Sequence, residues 1–254
     1  MIRRARGDLT PMAVLPHEGN YSIMYRPYDV PVGAGTRPGY MARPDEVGKF
    51  PVVLVIPDID GMGSHEKDLC RLLARHGFAA LAVELYQSPT GVDYGWSSDR
   101  KAMVELDEAV EFLRSEDIDW AHADRLGVVG LEVGGRFALI SAATRRWAVS
   151  CVVIGTPLTG DENREHQVAD YLDSLGIPVL GLYGADDELV SNETVDEAQR
   201  RNDSGQWLLY KGAAHDFFDI NSDTYDVDAA ADAQVRITEW FKATLPAAET
   251  VELG

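Results

Sequence analysis

The sequence predicts an α/β fold, with a mostly parallel, doubly wound sheet of about 7–8 strands carrying helices on both faces. Three observations support this. Short apolar, β-branched runs alternate with amphipathic segments along the 254 residues, the pattern of strands joined by crossover helices. Pro51-Val-Val-Leu-Val-Ile-Pro57 is a continuous apolar run, of the kind buried on both faces of a parallel sheet. Finally, Leu126-Gly-Val-Val-Gly-Leu-Glu-Val-Gly-Gly-Arg-Phe-Ala-Leu139 joins a strand to a helix through Gly130-x-Glu132-x-Gly134, where glycines let the backbone turn sharply beneath one exposed side chain. A hydrophobic content of 45% suits one core, so a single domain is expected over residues 1–254.

Residues 1–43 read as an extended N-terminal edge. Tyr21–Tyr25, Tyr28–Val30 and Gly39–Ala42 are strand-like but broken by Pro and Gly, which suits an antiparallel sheet margin. The Pro51–Pro57 strand is followed by the loop Asp58-Ile-Asp-Gly-Met-Gly63 and by a helix with Leu69, Leu72 and Leu73 on its apolar stripe, ending near Gly77. Ala79–Val83 is the next strand, with Glu84-Leu-Tyr-Gln-Ser-Pro-Thr-Gly91 as its C-terminal loop. A helix over Ser98–Arg114 places Met103, Leu106, Val110 and Leu113 on one side. Beyond the strand–turn–helix, the pattern gives a strand at Val149–Ile154, a helix around Arg164–Leu175 and a strand at Val179–Tyr183. A helix at Asn192–Arg201, a last strand at Gln206–Tyr210 and a terminal helix at Ala230–Thr244 complete it, leaving 246–254 as a short polar tail.

The net charge of −19 disfavours nucleic acid and anionic membrane as partners, because both are negative. Five lysines beside 42 acidic residues suit either a high-salt cytoplasm or an acidic, arginine-preferring proteome. Cys70 and Cys151 fall in a helix and a buried strand, so two reduced core thiols and a cytoplasmic setting are expected. Met1-Ile-Arg-Arg-Ala-Arg is followed by Gly-Asp-Leu-Thr-Pro instead of an apolar run, so no signal peptide is readable. No stretch of about 18 consecutive apolar residues suggests a membrane span. The histidines form no ligand-spaced cluster and no Gly-x-Gly-x-x-Gly follows a strand, so neither a metal nor a dinucleotide cofactor is expected. The partner expected is a small molecule, and the chain a monomer or homodimer.

In doubly wound sheets the ligand site lies beyond the carboxyl ends of the strands. Three post-strand loops carry ionisable residues in the order Glu132, Asp187, His215, the chain order of nucleophile, acid and histidine in α/β-hydrolases. Glu132 stands where such an elbow presents Ser, Cys or Asp.

Together these residues resemble the dienelactone hydrolase family, an α/β-hydrolase family, from about Gly39 to Leu245. The resemblance rests on Gly39-Tyr-Met-Ala-Arg-Pro, Ala79-Ala-Leu-Ala-Val-Glu-Leu-Tyr86, the Gly-Val-Val-Gly-x-x-x-Gly-Gly elbow, Gly-x-x-Asp-x-x-Val and His-x-Phe. It implies a cysteine at position 132, an acid at Asp58 beside it, and an oxyanion hole from the backbone N–H groups of Ile59 and Val133. The chain departs from the family at Glu132, and also at Gln87 and Asp219, where the family carries arginines associated with the carboxylate of dienelactone. A neutral or cationic substrate is therefore expected, in a pocket lined by Tyr86, Gln87, Trp96, Phe217 and Phe218.

Glu132 admits several chemistries. A carboxylate is a poor acyl-transfer nucleophile but can attack an sp³ carbon, as in an epoxide, and water activated by His215 could then cleave the ester. Paired with Asp58, it could instead act as an acid and base, activating water or catalysing elimination, cyclisation or isomerisation. A catalytically inactive, ligand-binding chain is a further alternative, against which the retained Asp187 and His215 argue. A hydrolase of a small lactone, ester or epoxide-like molecule with a Glu–His–Asp triad is the leading expectation.

Overall fold

A computed structural model describes residues 19–85, 98–160 and 166–245. The chain forms β1 (Ile23–Val32), β2 (Gly35–Pro44), β3 (Phe50–Ile56), α1 (Ser64–Arg75), β4 (Ala79–Val83), α2 (Asp99–Leu113), β5 (Ala121–Leu131), α3 (Val133–Thr144), β6 (Ala148–Ile154), β7 (Val179–Gly184), α4 (Asn192–Arg201), β8 (Gln206–Tyr210) and α5 (Val227–Thr244). Eight strands make one sheet in the order β1-β2-β4-β3-β5-β6-β7-β8. The β1/β2 and β2/β4 pairs are antiparallel and all the others parallel. This is the α/β-hydrolase architecture.

Period-two geometry explains why the central strands are apolar throughout. Val52, Leu54 and Ile56 of β3 join the core layer under α2 and α3, with Met103, Leu106 and Phe137. Val53 and Val55 face the opposite layer, with Leu69 and Leu73 of α1 and Ile237 and Phe241 of α5. Both cysteines are free and buried, as expected.

Two expectations need correction. The segments expected at Tyr21–Tyr25 and Tyr28–Val30 are one strand, Ile23–Val32, which leaves out Tyr21 and Ser22 and passes through Pro27 and Pro31. Proline is tolerated there because β1 is the sheet margin and lacks a partner on its outer side. The helix around Arg164–Leu175 is, within the described residues, the 3-10 segment Val168–Ser174. Asp170 caps the segment's start by accepting the Gln167 N–H, but Gly176 and Pro178 follow at once, leaving room for a short, tight helix only.

The sheet switches winding direction at β3, with β4 on one side and β5 on the other. Asp58 follows β3 and Glu132 follows β5, so the two acids stand at the switch point, where open α/β sheets leave a crevice.

Candidate active site

Glu132 links β5 to α3 with φ 48° and ψ −118°. Among the described residues it is the only non-glycine with positive φ, a conformation that costs of order 1–3 kcal/mol. The surrounding packing enforces it. A Cβ on Gly134 would run into the carbonyl oxygens of Ile56 and Pro57, so α3 starts against the end of β3 only because that side chain is missing. One turn on, the buried Arg136 donates to Asp99 (2.8 and 2.6 Å) and to the His166 carbonyl (2.7 Å), tying the elbow helix to the start of α2.

The elbow aims Glu132 at His215. Its Oε2 lies 2.6 Å from His215 Nε2, and His215 Nδ1 lies 2.7 Å from Asp187 Oδ2. Three loops, after β5, β7 and β8, thus meet in a line of carboxylate, imidazole and carboxylate. Asp187 is fully buried on its side chain, and its other oxygen accepts the N–H groups of Leu189 (2.7 Å) and Val190 (2.9 Å). Burial opposes its ionisation, but hydrogen bonds from His215, Val190 and Leu189 hold the carboxyl below the usual range. Burial also disfavours the imidazolium of His215, yet Asp187 and Glu132 outweigh it and raise the ring to about 10. Burial pushes Glu132 up to about 7, countered by His215 and reinforced by the negative Asp58 and Asp216. A carboxylate facing an imidazolium is therefore the expected state just above neutrality.

Asp58 is beside this line and engaged with backbone. Its Oδ1 accepts the Val133 N–H at 3.2 Å, and the Ile59 N–H also bonds its carboxylate. The two donors expected to form an open oxyanion hole are thus filled by the chain's own acid. Burial raises Asp58, those two N–H bonds lower it, and the charges of Asp60 and Asp216 raise it again.

The aromatic lining requires revision. Phe217 is fully buried, packed against Tyr210 and Phe218 with ring centroids 5.0 and 6.2 Å apart. The Asp226 N–H donates to its carbonyl, turning the ring into the α5 core layer. Phe218 stands edge-on to His65 at 5.1 Å and lines a separate cavity of about 330 Å³ with Leu69, Leu72 and Tyr225. Tyr86, Gln87 and Trp96 lie outside the described residues.

Three further groups emerge only from the structure. Gly155, at φ 63° after β6, packs so closely on Glu132 that a Cβ there would overlap its carboxylate. Tyr183 is fully buried with an unpartnered hydroxyl, and the charges of Glu132 and Asp187 help burial to raise it far above its ordinary range. Asp216 offers a carboxylate oxygen that, with ligand atoms of Glu132 and His215, forms a set within 4.8 Å of one another. Its adjacency to His215 was the one available signal in the sequence.

Residues 38–245 match the dienelactone hydrolase family. A protein of Methylorubrum extorquens, provisionally named a carboxymethylenebutenolidase, is 33% identical over 231 residues, covering 84% of this chain and 79% of its own. A Bradyrhizobium protein, provisionally named a 2-oxo-3-(5-oxofuran-2-ylidene)propanoate lactonase, is 30% identical, covering 81% of this chain and 88% of its own. A crystal structure from Klebsiella pneumoniae, provisionally called a dienelactone hydrolase, superposes with a TM-score of 0.78 at 28% identity, covering 87% of this chain and 99% of that one. A family match over most of the chain, and relatives of 30% identity or more, show that the chain belongs to the dienelactone hydrolase family and is a hydrolase.

Proposed function

We propose that the chain hydrolyses a small neutral lactone or ester, using Glu132, His215 and Asp187 to activate water without an acyl-enzyme. The observation that carries this is the 2.6 Å approach of Glu132 Oε2 to His215 Nε2. An elbow carboxylate turned toward the histidine is placed to exchange a proton with it, and a carboxylate is in any case a weak acyl-transfer nucleophile. Lactone substrates are supported by the names of two relatives. A neutral substrate is supported by the negative Asp58, Asp60 and Asp216 about the site, which repel an anion.

Ionised Glu132 takes a proton from water while the water oxygen bonds to the substrate carbonyl carbon. The carbonyl electron pair moves to oxygen, where the N–H groups of Val133 and Ile59 stabilise it once Asp58 gives them up. Collapse re-forms the carbonyl, breaks the bond to the leaving oxygen and draws a proton from His215 Nε2. The proton on Glu132 then passes to Nε2, restoring the starting state. Asp187 keeps the Nδ1 proton in place throughout. Water is added across the ester bond with nothing left over.

Non-hydrolytic proton transfer by a Glu132–Asp58 pair has less support, because Asp58 bonds to Val133 N–H instead of Glu132. Single turnover of a γ-lactone in ¹⁸O-water tests the reading. Product labelled in the first turnover, with Glu132 unlabelled, is expected. Label found in Glu132 and an unlabelled first product would overturn it in favour of covalent attack. Glu132→Gln should slow turnover by about 10²–10⁴-fold, the usual contribution of one general base.

A further inference from the structure

Asp216 has no task in the hydrolytic cycle, yet it stands with Glu132 and His215 in a tight set of donors. One ligand atom from each lies within 4.8 Å of the others, and all three residues are partly buried. Glu132 Oε2 is sealed from solvent and lacks a well-directed hydrogen bond, although His215 Nε2 is only 2.6 Å away. Asp187 meanwhile bonds His215 Nδ1 at 2.7 Å, the carboxylate support that fixes a metal-binding imidazole with its other nitrogen facing the ion.

We propose that Glu132, His215 Nε2 and Asp216 bind one divalent transition-metal ion of the Zn²⁺ class. One imidazole and two carboxylates suit such an ion better than Ca²⁺ or Mg²⁺, which take oxygen ligands. With bonds of about 2.0–2.2 Å, donors around one ion stand somewhat closer than the outer limit of this set and farther apart than the Glu132–His215 contact. Entry therefore needs Asp216 to close slightly and the Glu132–His215 contact to open. The ion replaces the proton on Nε2, so the balance is metal ion plus imidazolium giving metal-bound imidazole plus one proton. Three protein ligands leave a position for water, as in catalytic zinc sites and unlike closed structural ones.

The proposal shares two residues with the hydrolytic reading but is tested by binding, so the failure of either leaves the other standing. The full chain, stripped with a chelator and dialysed, is titrated with ZnCl2 by calorimetry in buffers of different ionisation heat. One ion per chain is expected, with protons released as the ligands bind the metal. Asp187→Asn, which removes the support behind His215, should weaken binding by about 10–100-fold, and Asp216→Asn by at least as much. Asp219→Asn removes a nearby acid outside the set and should bind like the wild type. Circular dichroism checks that each variant is folded. If Asp216→Asn does not fold, Glu132→Gln takes its place, with the same expected loss. Absence of one-to-one binding, wild-type affinity in folded Asp216→Asn or Glu132→Gln, or weakening confined to Asp219→Asn overturns the proposal.

Discussion

At the residue scale, the opposed protonation of Glu132 and His215 predicts the pH dependence of turnover. Glu132 must be ionised to take a proton, so kcat/KM should rise as pH passes about 7. His215 must be protonated to give one, so the rate should fall as pH passes about 10. The resulting bell belongs to the coupled pair and not to either group alone. A profile that keeps rising through the alkaline limb would remove His215 as the acid. Asp58 makes a second prediction, because it holds the Val133 N–H that a substrate oxyanion needs. Asp58→Ala should tighten inhibition by acetate by on the order of tenfold or more, given about 1.5–3 kcal/mol for hydrogen bonds to charged groups. An unchanged inhibition constant would show that the hole does not face the ligand. The sequence made Glu132, Asp187 and His215 legible through their order after successive strands. It could not show that Asp58 fills the hole, since that depends on the distance between two loops 75 residues apart.

At the element scale, β3 and α3 meet through an absent side chain. Gly134→Ala would press a methyl group into the carbonyls of Ile56 and Pro57, which are backbone and cannot rotate away. Destabilisation of about 1–3 kcal/mol or more is expected, read as a lower urea midpoint, together with lost turnover as α3 shifts. Stability equal to the wild type would mean that this packing does not hold the elbow. Element positions were legible where apolar runs were unambiguous, as at Ala79–Val83 and Gln206–Tyr210. They were less so around Val168–Ser174, where the nearby Gly176 and Pro178 cut the helical pattern short. Phe217 eluded the sequence for a related reason: an aromatic two residues past a candidate site histidine reads as pocket lining until the turn closed by Asp226 aims it inward.

At the scale of the whole molecule, the parallel sheet and its chain order were legible because they follow from alternation and handedness. The strand order places β8 at one margin, bonded only to β7, and His215 follows that strand. The activity of this chain therefore hangs from its outermost parallel strand, while Cys151 lies at the centre, in β6 between β5 and β7. Margins open at lower free energy than centres, so the molecule carries two gauges of its own integrity. On gradual heating, turnover should disappear before Cys151 reacts with a thiol reagent, and cooling within that interval should restore it in full. Simultaneous loss of activity and thiol protection would show that β8 melts with the rest of the sheet. If the interval exists, loss of activity on warming is a report from the rim of the fold and not a measure of its core.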